Sequence, residues 1–241
     1  MPSAVISDVH SNIEALGAVL EDVRRRGIGR ILFLGDAVGY GPSPNECVEL
    51  LKEVCEVMLA GNHDRAVTGD TPIEYFNENA RAAVLWTRGR MSPENIALLR
   101  SLDIIKILEP DGLCLVHSTP RRPEAWHYII TLADAEVNFR YFEQKVCLLG
   151  HSHTPFIVEK TPAGELVLHR ERVRFSVSSR YIINAGSVGQ PRDRDPRAAY
   201  AVLTPDGAEI VRVDYDIGET QRKMREAGLP AFLIERLGEG V

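Results

Sequence analysis

The amino-acid sequence predicts an α/β fold organised around a mostly parallel sheet. Two patterns support this. Over the first sixty residues, short apolar runs alternate with stretches whose apolar residues recur at helical spacing, the order expected of right-handed β-α-β crossovers. From Phe156 onward the pattern changes to short strands separated by turns containing Pro and Gly, which adds a strand-rich second half.

Ala4-Val5-Ile6 is expected as the first strand. A helix from Asn12 to Arg26 follows, with Ile13, Leu16, Val19, Leu20 and Val23 at helical spacing and Gly27 as its stop. Ile31 to Leu34 is the second strand, Pro44 to Lys52 the second helix, and Val54 to Leu59 the third strand. Pro72 to Ser101 reads as helical, with a fresh start at Ser92-Pro93. Strands Ile104–Leu108 and Leu113–Val116 are joined by the turn Pro110-Asp111-Gly112, then come helix Leu132–Phe142 and strand Val146–Leu149. The later strands are Phe156–Glu159, Glu165–His169, Arg174–Val177, Tyr181–Asn184, Ala199–Leu203 and Glu209–Val213, and one helical stretch from Ile217 to Leu237 closes the sequence. No repeat, low-complexity tract or linker interrupts the 241 residues, so one domain over 1–241 is expected.

Composition removes several classes. Lysine and arginine number 28 against 34 aspartates and glutamates, a net charge of −6, whereas proteins that coat nucleic-acid phosphates carry a basic stripe. A long nucleic-acid partner is therefore not expected, although one local phosphate pocket remains compatible. No apolar run approaches the ~20 residues of a membrane span. Met-Pro-Ser-Ala-Val-Ile lacks the basic and apolar regions of a secretory signal, so no membrane association and a cytoplasmic location are expected. In that reducing compartment Cys47, Cys55, Cys114 and Cys147, with no C-x-x-C pair, are expected as small core residues.

Five of the seven histidines fall in short polar clusters directly after apolar strand runs: Asp8-Val9-His10, Gly35-Asp36, Gly61-Asn62-His63-Asp64, His117 and Gly150-His151-Ser152-His153. Ligand sites in α/β sheets form beyond the carboxyl ends of strands, so the sheet itself would gather the clusters. Residues two apart in extended chain point to the same side. Asp8 and His10 can thus hold one metal ion together, while His151 and His153 can serve one ion or two. Asp36 and Asn62 add hard oxygens, and a carboxylate can bridge two ions. Singly, each histidine is an ordinary hydrogen-bonded residue, Asp8 or Asp36 a helix cap, and Asn62-His63-Asp64 a turn. Five such accidents at consecutive strand ends are hard to arrange.

The order D-x-H, G-D, G-N-H-D, H, G-H-x-H resembles the calcineurin-like metallophosphoesterase family, across residues 8 to 153. Asn184-Ala185-Gly186-Ser187-Val188-Gly189-Gln190-Pro191-Arg192 resembles the segment that closes the site in the small prokaryotic phosphodiesterase and diadenosine-tetraphosphatase-like branch. The resemblance implies a four-layer αββα sandwich of two mixed sheets flanked by helices. It implies that Asp8, His10, Asp36 and His153 bind one metal ion and Asp36, Asn62, His117 and His151 a second, with Asp36 as the bridge. His63 would protonate the leaving oxygen or stabilise the phosphoryl group, and Asp64 would orient it. Ser11 and Ser152 stand where many members have Gly and Thr; neither change removes a ligand.

The implied activity is hydrolysis of a phosphodiester or nucleoside (poly)phosphate by in-line attack of a metal-bridging hydroxide. Two divalent ions outweigh Asp8, Asp36 and that hydroxide, leaving a positive site suited to a small phosphate ester or nucleotide. The sulfur-free ligand set suits two ions of Mn²⁺, Fe, Zn²⁺, Co²⁺ or Ni²⁺. Tyr40, Arg121, Ser187 and Arg192 are the candidate substrate contacts, since Tyr40 can stack on a ring and arginine forks suit phosphate. Arg194 and Arg197 are read as partners of Asp193 and Asp195, and Trp126, His127 and His169 as structural residues. A non-catalytic scaffold would be expected to lose His63 or several ligands, all present here; a protein phosphatase would need an open groove, on which the sequence is silent. The oligomeric state is not legible.

Overall fold

The computed structural model describes residues 1–241. Twelve strands form two six-stranded sheets. The strands are β1 Ser3–Ile6, β2 Arg30–Phe33, β3 Val57–Met58, β4 Ile105–Leu108, β5 Leu113–Val116, β6 Val146–Leu149, β7 Phe156–Lys160, β8 Leu166–His169, β9 Arg172–Arg174, β10 Arg180–Asn184, β11 Ala198–Thr204 and β12 Gly207–Val213. The helices are α1 Ile13–Arg25, α2 Pro44–Val54, α3 Asn62–Thr68, α4 Glu78–Arg88, α5 Pro93–Ser101, α6 Leu132–Asn138, α7 Ile217–Glu226 and α8 Ala231–Glu239. The first sheet has the order β3-β2-β1-β11-β12-β9 and the second β4-β5-β6-β10-β7-β8. Each is mixed: β1, β2 and β3 run parallel in the first, β5, β6 and β10 in the second, and all remaining pairs are antiparallel.

Alternation along the strands builds the layers. Val5, Leu32 and Leu34 meet Leu113, Leu115, Leu148, Ile157, Tyr181 and Ile183 between the two sheets. Their neighbours Ala4, Ile6, Ile31 and Phe33 point the other way, onto Leu16, Val19 and Val23 of α1 and Val48 and Leu51 of α2. The outer face of the second sheet carries Cys114, Val116, Cys147, Leu149 and Ile182 against Ala135 of α6 and Phe139. Sheet faces sheet, with helices outside, in an αββα sandwich. No helix is long and apolar enough to cross a membrane.

Several boundaries moved. α2 continues through Val54, so the expected strand from Val54 shrinks to Val57–Met58; Val54 completes the helix and packs on its apolar cluster. Residues 72–77 are not helical: the chain re-enters helix only at α4, where the Asn77 side chain caps Ala80 N at 3.0 Å. Asn62-His63-Asp64, taken singly as a turn, opens α3 instead. The strand expected at Arg174–Val177 lies earlier, at Arg172–Arg174, because its pairing with Gly207–Glu209 sets the register; Val177 is solvent-exposed. The last helical stretch breaks into α7 and α8 at Gly228-Leu229-Pro230, where Gly228 takes φ +69°.

Candidate metal centre

The carboxyl ends of β1, β2 and β3 and those of β5 and β6 open onto one region, and the five polar clusters meet there across the two sheets. His10 Nε2 lies 3.1 Å from His153 Nε2, and His153 Nε2 lies 3.2 Å from Asp8 Oδ1. Asp36 Oδ2 lies 3.6 Å from His10 Nε2 and 3.4 Å from His117 Nε2, between the two groups. Asn62 Oδ1 lies 3.3 Å from His117 Nε2. Ligand atoms converge in three overlapping sets: Asp8 with His10 and His153; Asp36 with His117 and His151; and His10 with Asp36 and His63.

The ring protons can be placed from the partners. His10 Nδ1 faces the Val38 carbonyl at 3.0 Å, His117 Nδ1 that of Leu34 at 3.0 Å, His153 Nδ1 that of Gln190 at 2.6 Å, and His151 Nε2 that of Trp126 at 2.8 Å. A carbonyl only accepts, so each of these nitrogens donates, and the other nitrogen of a neutral ring is a lone pair. Those lone pairs, with Asp8 Oδ1 and Asp36 Oδ2, turn toward one another in a site from which water is almost excluded. Asp8 Oδ1 is fully buried and has no hydrogen-bond partner. Ligand atoms gathered at this spacing suit a cation placed between them, and the nitrogen and oxygen donors fit divalent transition ions. The backbone carbonyls that fix the rings act as the outer hydrogen-bond layer common at metal sites.

Burial presses the rings toward the neutral, metal-binding form. It lowers His10, outweighing Asp36; it lowers His151 to about 3, and it lowers His153, where the Arg192 charge adds to the effect. Burial alone would raise Asp8 and Asp36, but the surrounding imidazoles, His153 for Asp8 and His117 for Asp36, hold both carboxyls below the usual range. His117 is the exception. Burial opposes its charge, yet the Asp36 carboxylate outweighs burial and lifts it to about 9. His63 is lowered to about 4, chiefly by burial.

Backbone strain concentrates here. Asp8, His10, Asp36, His151 and His153, five of the seven expected ligands, have φ between +48° and +67°. Such left-handed geometry costs of order 1–3 kcal/mol per non-glycine residue and gathers at functional sites. Close approach also dictates two glycines. A Cβ on Gly61 would lie 2.1 Å from Asp36 Oδ1, and one on Gly150 would lie 2.4 Å from Asp8 Oδ2. Asp36 Oδ1 is held by the His63 backbone N–H at 2.8 Å and Asp8 Oδ2 by that of His151 at 2.9 Å, which leaves the other oxygen of each carboxylate facing inward.

Three expected roles change. Asp64 does not touch the His63 ring: its oxygens accept from the backbone N–H groups of Asp36 (2.8 Å), Gly61 (2.9 Å) and Val38 (3.2 Å), and His63 Nδ1 has no partner. Asp64 therefore ties the β2 loop to the start of α3, and burial beside Asp36 raises its carboxyl to about 7. Ser187 is not a substrate contact; fully buried, its hydroxyl donates to the Asp8 carbonyl and accepts from Gln190 N–H, both at 2.8 Å. Arg121 turns away, its guanidinium 5.8 Å from the Tyr141 ring centroid.

Tyr40 and Arg192 do line the cavity beside the centre. The Tyr40 ring is packed against His10 and His63, with centroids 4.6 and 4.4 Å away, so it is not free to stack on a ligand. Arg192 has a buried Nε without a partner and forms no ion pair; its Nη2 donates to Gln190 Oε1 at 2.7 Å. Arg197 pairs with Asp195 at 2.7 Å and His169 with Glu159 at 3.0 Å, as expected of structural residues. Trp126 is different. Its carbonyl orients His151 and its ring lines the cavity, together with Tyr75, Phe76 and Tyr128. Nothing in the local sequence marked these residues, because their loops carry no motif and reach the site only through the fold.

With this geometry in view, comparison with known proteins is direct. Residues 1–208 match the calcineurin-like phosphoesterase superfamily domain. An uncharacterized protein of Methanocaldococcus jannaschii is 42% identical over 238 residues, covering 97% of this chain and 96% of that protein. The crystal structure of a metallophosphoesterase from Sphaerobacter thermophilus is 42% identical with a TM-score of 0.88, covering 100% of this chain and 99% of that one. A hypothetical protein from Pyrococcus horikoshii OT3, 20% identical, shares the fold with a TM-score of 0.80 over 100% of this chain and 98% of its own. The chain belongs to the calcineurin-like phosphoesterase superfamily and is a metallophosphoesterase, a hydrolase of phosphoesters.

Proposed function

We propose that the protein hydrolyses a phosphodiester or nucleoside (poly)phosphate at a centre of two divalent ions. The carrying observation is the inward-facing set of ligand atoms: four imidazoles, each with one ring nitrogen spent on a backbone carbonyl and the other turned inward, and two carboxylates each with one oxygen held by the backbone and one turned inward. Asp8, His10 and His153 would hold one ion, Asn62, His117 and His151 the other, and Asp36 both. When bound, such ions acidify water and offset the charge of phosphoryl oxygens. Arg192 lines the cavity and forms no ion pair, so its guanidinium can serve a phosphoryl oxygen as a charge-assisted donor. His63 lines the cavity beside Asp36, where its ring can hydrogen-bond the phosphoryl group or give a proton to the departing oxygen.

The test is hydrolysis of bis-p-nitrophenyl phosphate, p-nitrophenyl phosphate, cyclic nucleotides and diadenosine polyphosphates by metal-free protein resupplied with Mn²⁺. We expect turnover of at least one diester or nucleotide that a chelator abolishes. Turnover unaffected by chelation, or none with any of the five candidate metals, would overturn the reading.

A further inference from the structure

The cavity beside the metal centre has a volume of about 820 Å³. Inorganic phosphate would fill little of it; pockets of ~300–1,000 Å³ are those that enclose drug-sized ligands. Its walls are two loops outside the ligand motifs. One, between α3 and α4, brings Tyr75 and Phe76; the other, between β5 and α6, brings Trp126 and Tyr128. Phe76 stands edge-on to His63 with centroids 4.9 Å apart, and Tyr128 stacks on His151 at 4.1 Å and 9°. Each wall therefore begins at a different part of the centre, one at His63 and one at a metal ligand.

Phe76 is half-buried and packs on the core behind it, but the two tyrosines are surface residues. Tyr75 is 90% exposed and Tyr128 48%, although burial is the usual fate of large aromatic side chains. Thr71 and Asn77 share the cavity; the Asn77 oxygen is used in capping α4, which leaves its amide free to donate. Aromatic rings with a few hydrogen-bonding groups, beside a phosphoryl site, match a base joined through a sugar to a phosphate.

We infer that this cleft is a nucleobase clamp, in which Tyr75 and Phe76 on one wall and Trp126 and Tyr128 on the other hold the base of a nucleoside phosphoester whose phosphoryl group lies at the metal centre. The assignment rests on the phosphoesterase reading for the position of the phosphate. It makes the two loops, not the metal ligands, the source of substrate preference.

Calorimetry on the Mn²⁺-loaded protein, comparing adenosine 5′-monophosphate, ribose 5-phosphate and inorganic phosphate, tests it. Adenosine 5′-monophosphate should bind about ten-fold tighter than ribose 5-phosphate, the gain typical of one stacked base, and should change the tryptophan fluorescence in a way that Trp126→Phe removes. Tyr75→Ala and Tyr128→Ala should each narrow the ten-fold gap, whereas Tyr75→Phe, which keeps the ring, should preserve it. Equal affinity for the two sugar phosphates, or a gap that survives both Tyr75→Ala and Trp126→Ala, overturns the clamp. A protein that hydrolyses simple esters but shows no base preference loses the clamp alone. One that prefers adenosine 5′-monophosphate yet hydrolyses nothing keeps the clamp and loses the hydrolytic reading.

Discussion

Six of the seven side chains gathered at the metal centre are buried, at 4% exposure or less, and their orientations are fixed by main-chain hydrogen bonds. The aromatic residues of the cleft beside them are loop residues: Tyr75 and Tyr128 are exposed, and the rings of Phe76 and Tyr128 touch the centre without being held by main-chain hydrogen bonds. The two regions lie side by side and obey different rules. In the centre, strand ends and strained turns dictate position, and hardly any substitution leaves the geometry intact. In the cleft, loops set shape and the rigid sheets beneath tolerate change. Reaction type should therefore follow from the centre and substrate choice from the cleft.

Substitutions can break or sharpen that division. The largest effect belongs to Asp36, whose Oδ2 lies between His10 and His117. Asp36→Ala should remove both ions together and bring hydrolysis to the metal-free level, as measured by elemental analysis alongside the rate; loss of one ion alone would contradict a shared ligand. Next is His63→Ala, which should lower kcat by roughly 10²–10⁴-fold, the range for a lost acid or base, while metal content stays unchanged. Because His63 also lies within reach of His10 and Asp36, loss of metal would instead make it a ligand. Gly61→Ala forces the added methyl against Asp36 Oδ1 and should weaken metal binding by ~10–100-fold, the scale for disturbing a ligand's supporting contacts; a metal titration reads it.

Smaller effects separate support from recognition. Ser187→Ala loses a buried hydroxyl bonded to Asp8 O and Gln190 N, and should cost about 1 kcal/mol or more, seen as a lower Tm. Arg121→Ala should leave kcat/KM unchanged, because its guanidinium packs on Tyr141 rather than in the cleft. A large fall in kcat/KM would put Arg121 back among the substrate contacts.

The same contrast explains what the sequence made legible. Asp8, Asp36, Asn62, His117 and His151 each follow an apolar strand within a few residues, so recognising the strand locates the ligand, and period-two alternation sorts the two sheet faces. The orienting role that the family resemblance implies for Asp64 is not seen, because its carboxylate is spent on three backbone N–H groups, those of Asp36, Val38 and Gly61. Trp126 reads from sequence as a structural residue, and Tyr128 carries no signal, because their loop has no periodicity; its two left-handed residues, Arg122 and Trp126, belong to types with no marked preference for that geometry, so the local sequence carries no trace of the turn that brings the Trp126 carbonyl to His151.

The central claim, two ions sharing Asp36, is tested most directly by an anomalous-scattering map of crystals grown with Mn²⁺. The account predicts two peaks per chain, roughly 3.5–4 Å apart as in other two-metal sites. One should be bounded by Asp8, His10 and His153, the other by Asn62, His117 and His151, with Asp36 reaching both. A single peak at full occupancy, or two peaks with Asp36 on only one of them, would contradict it.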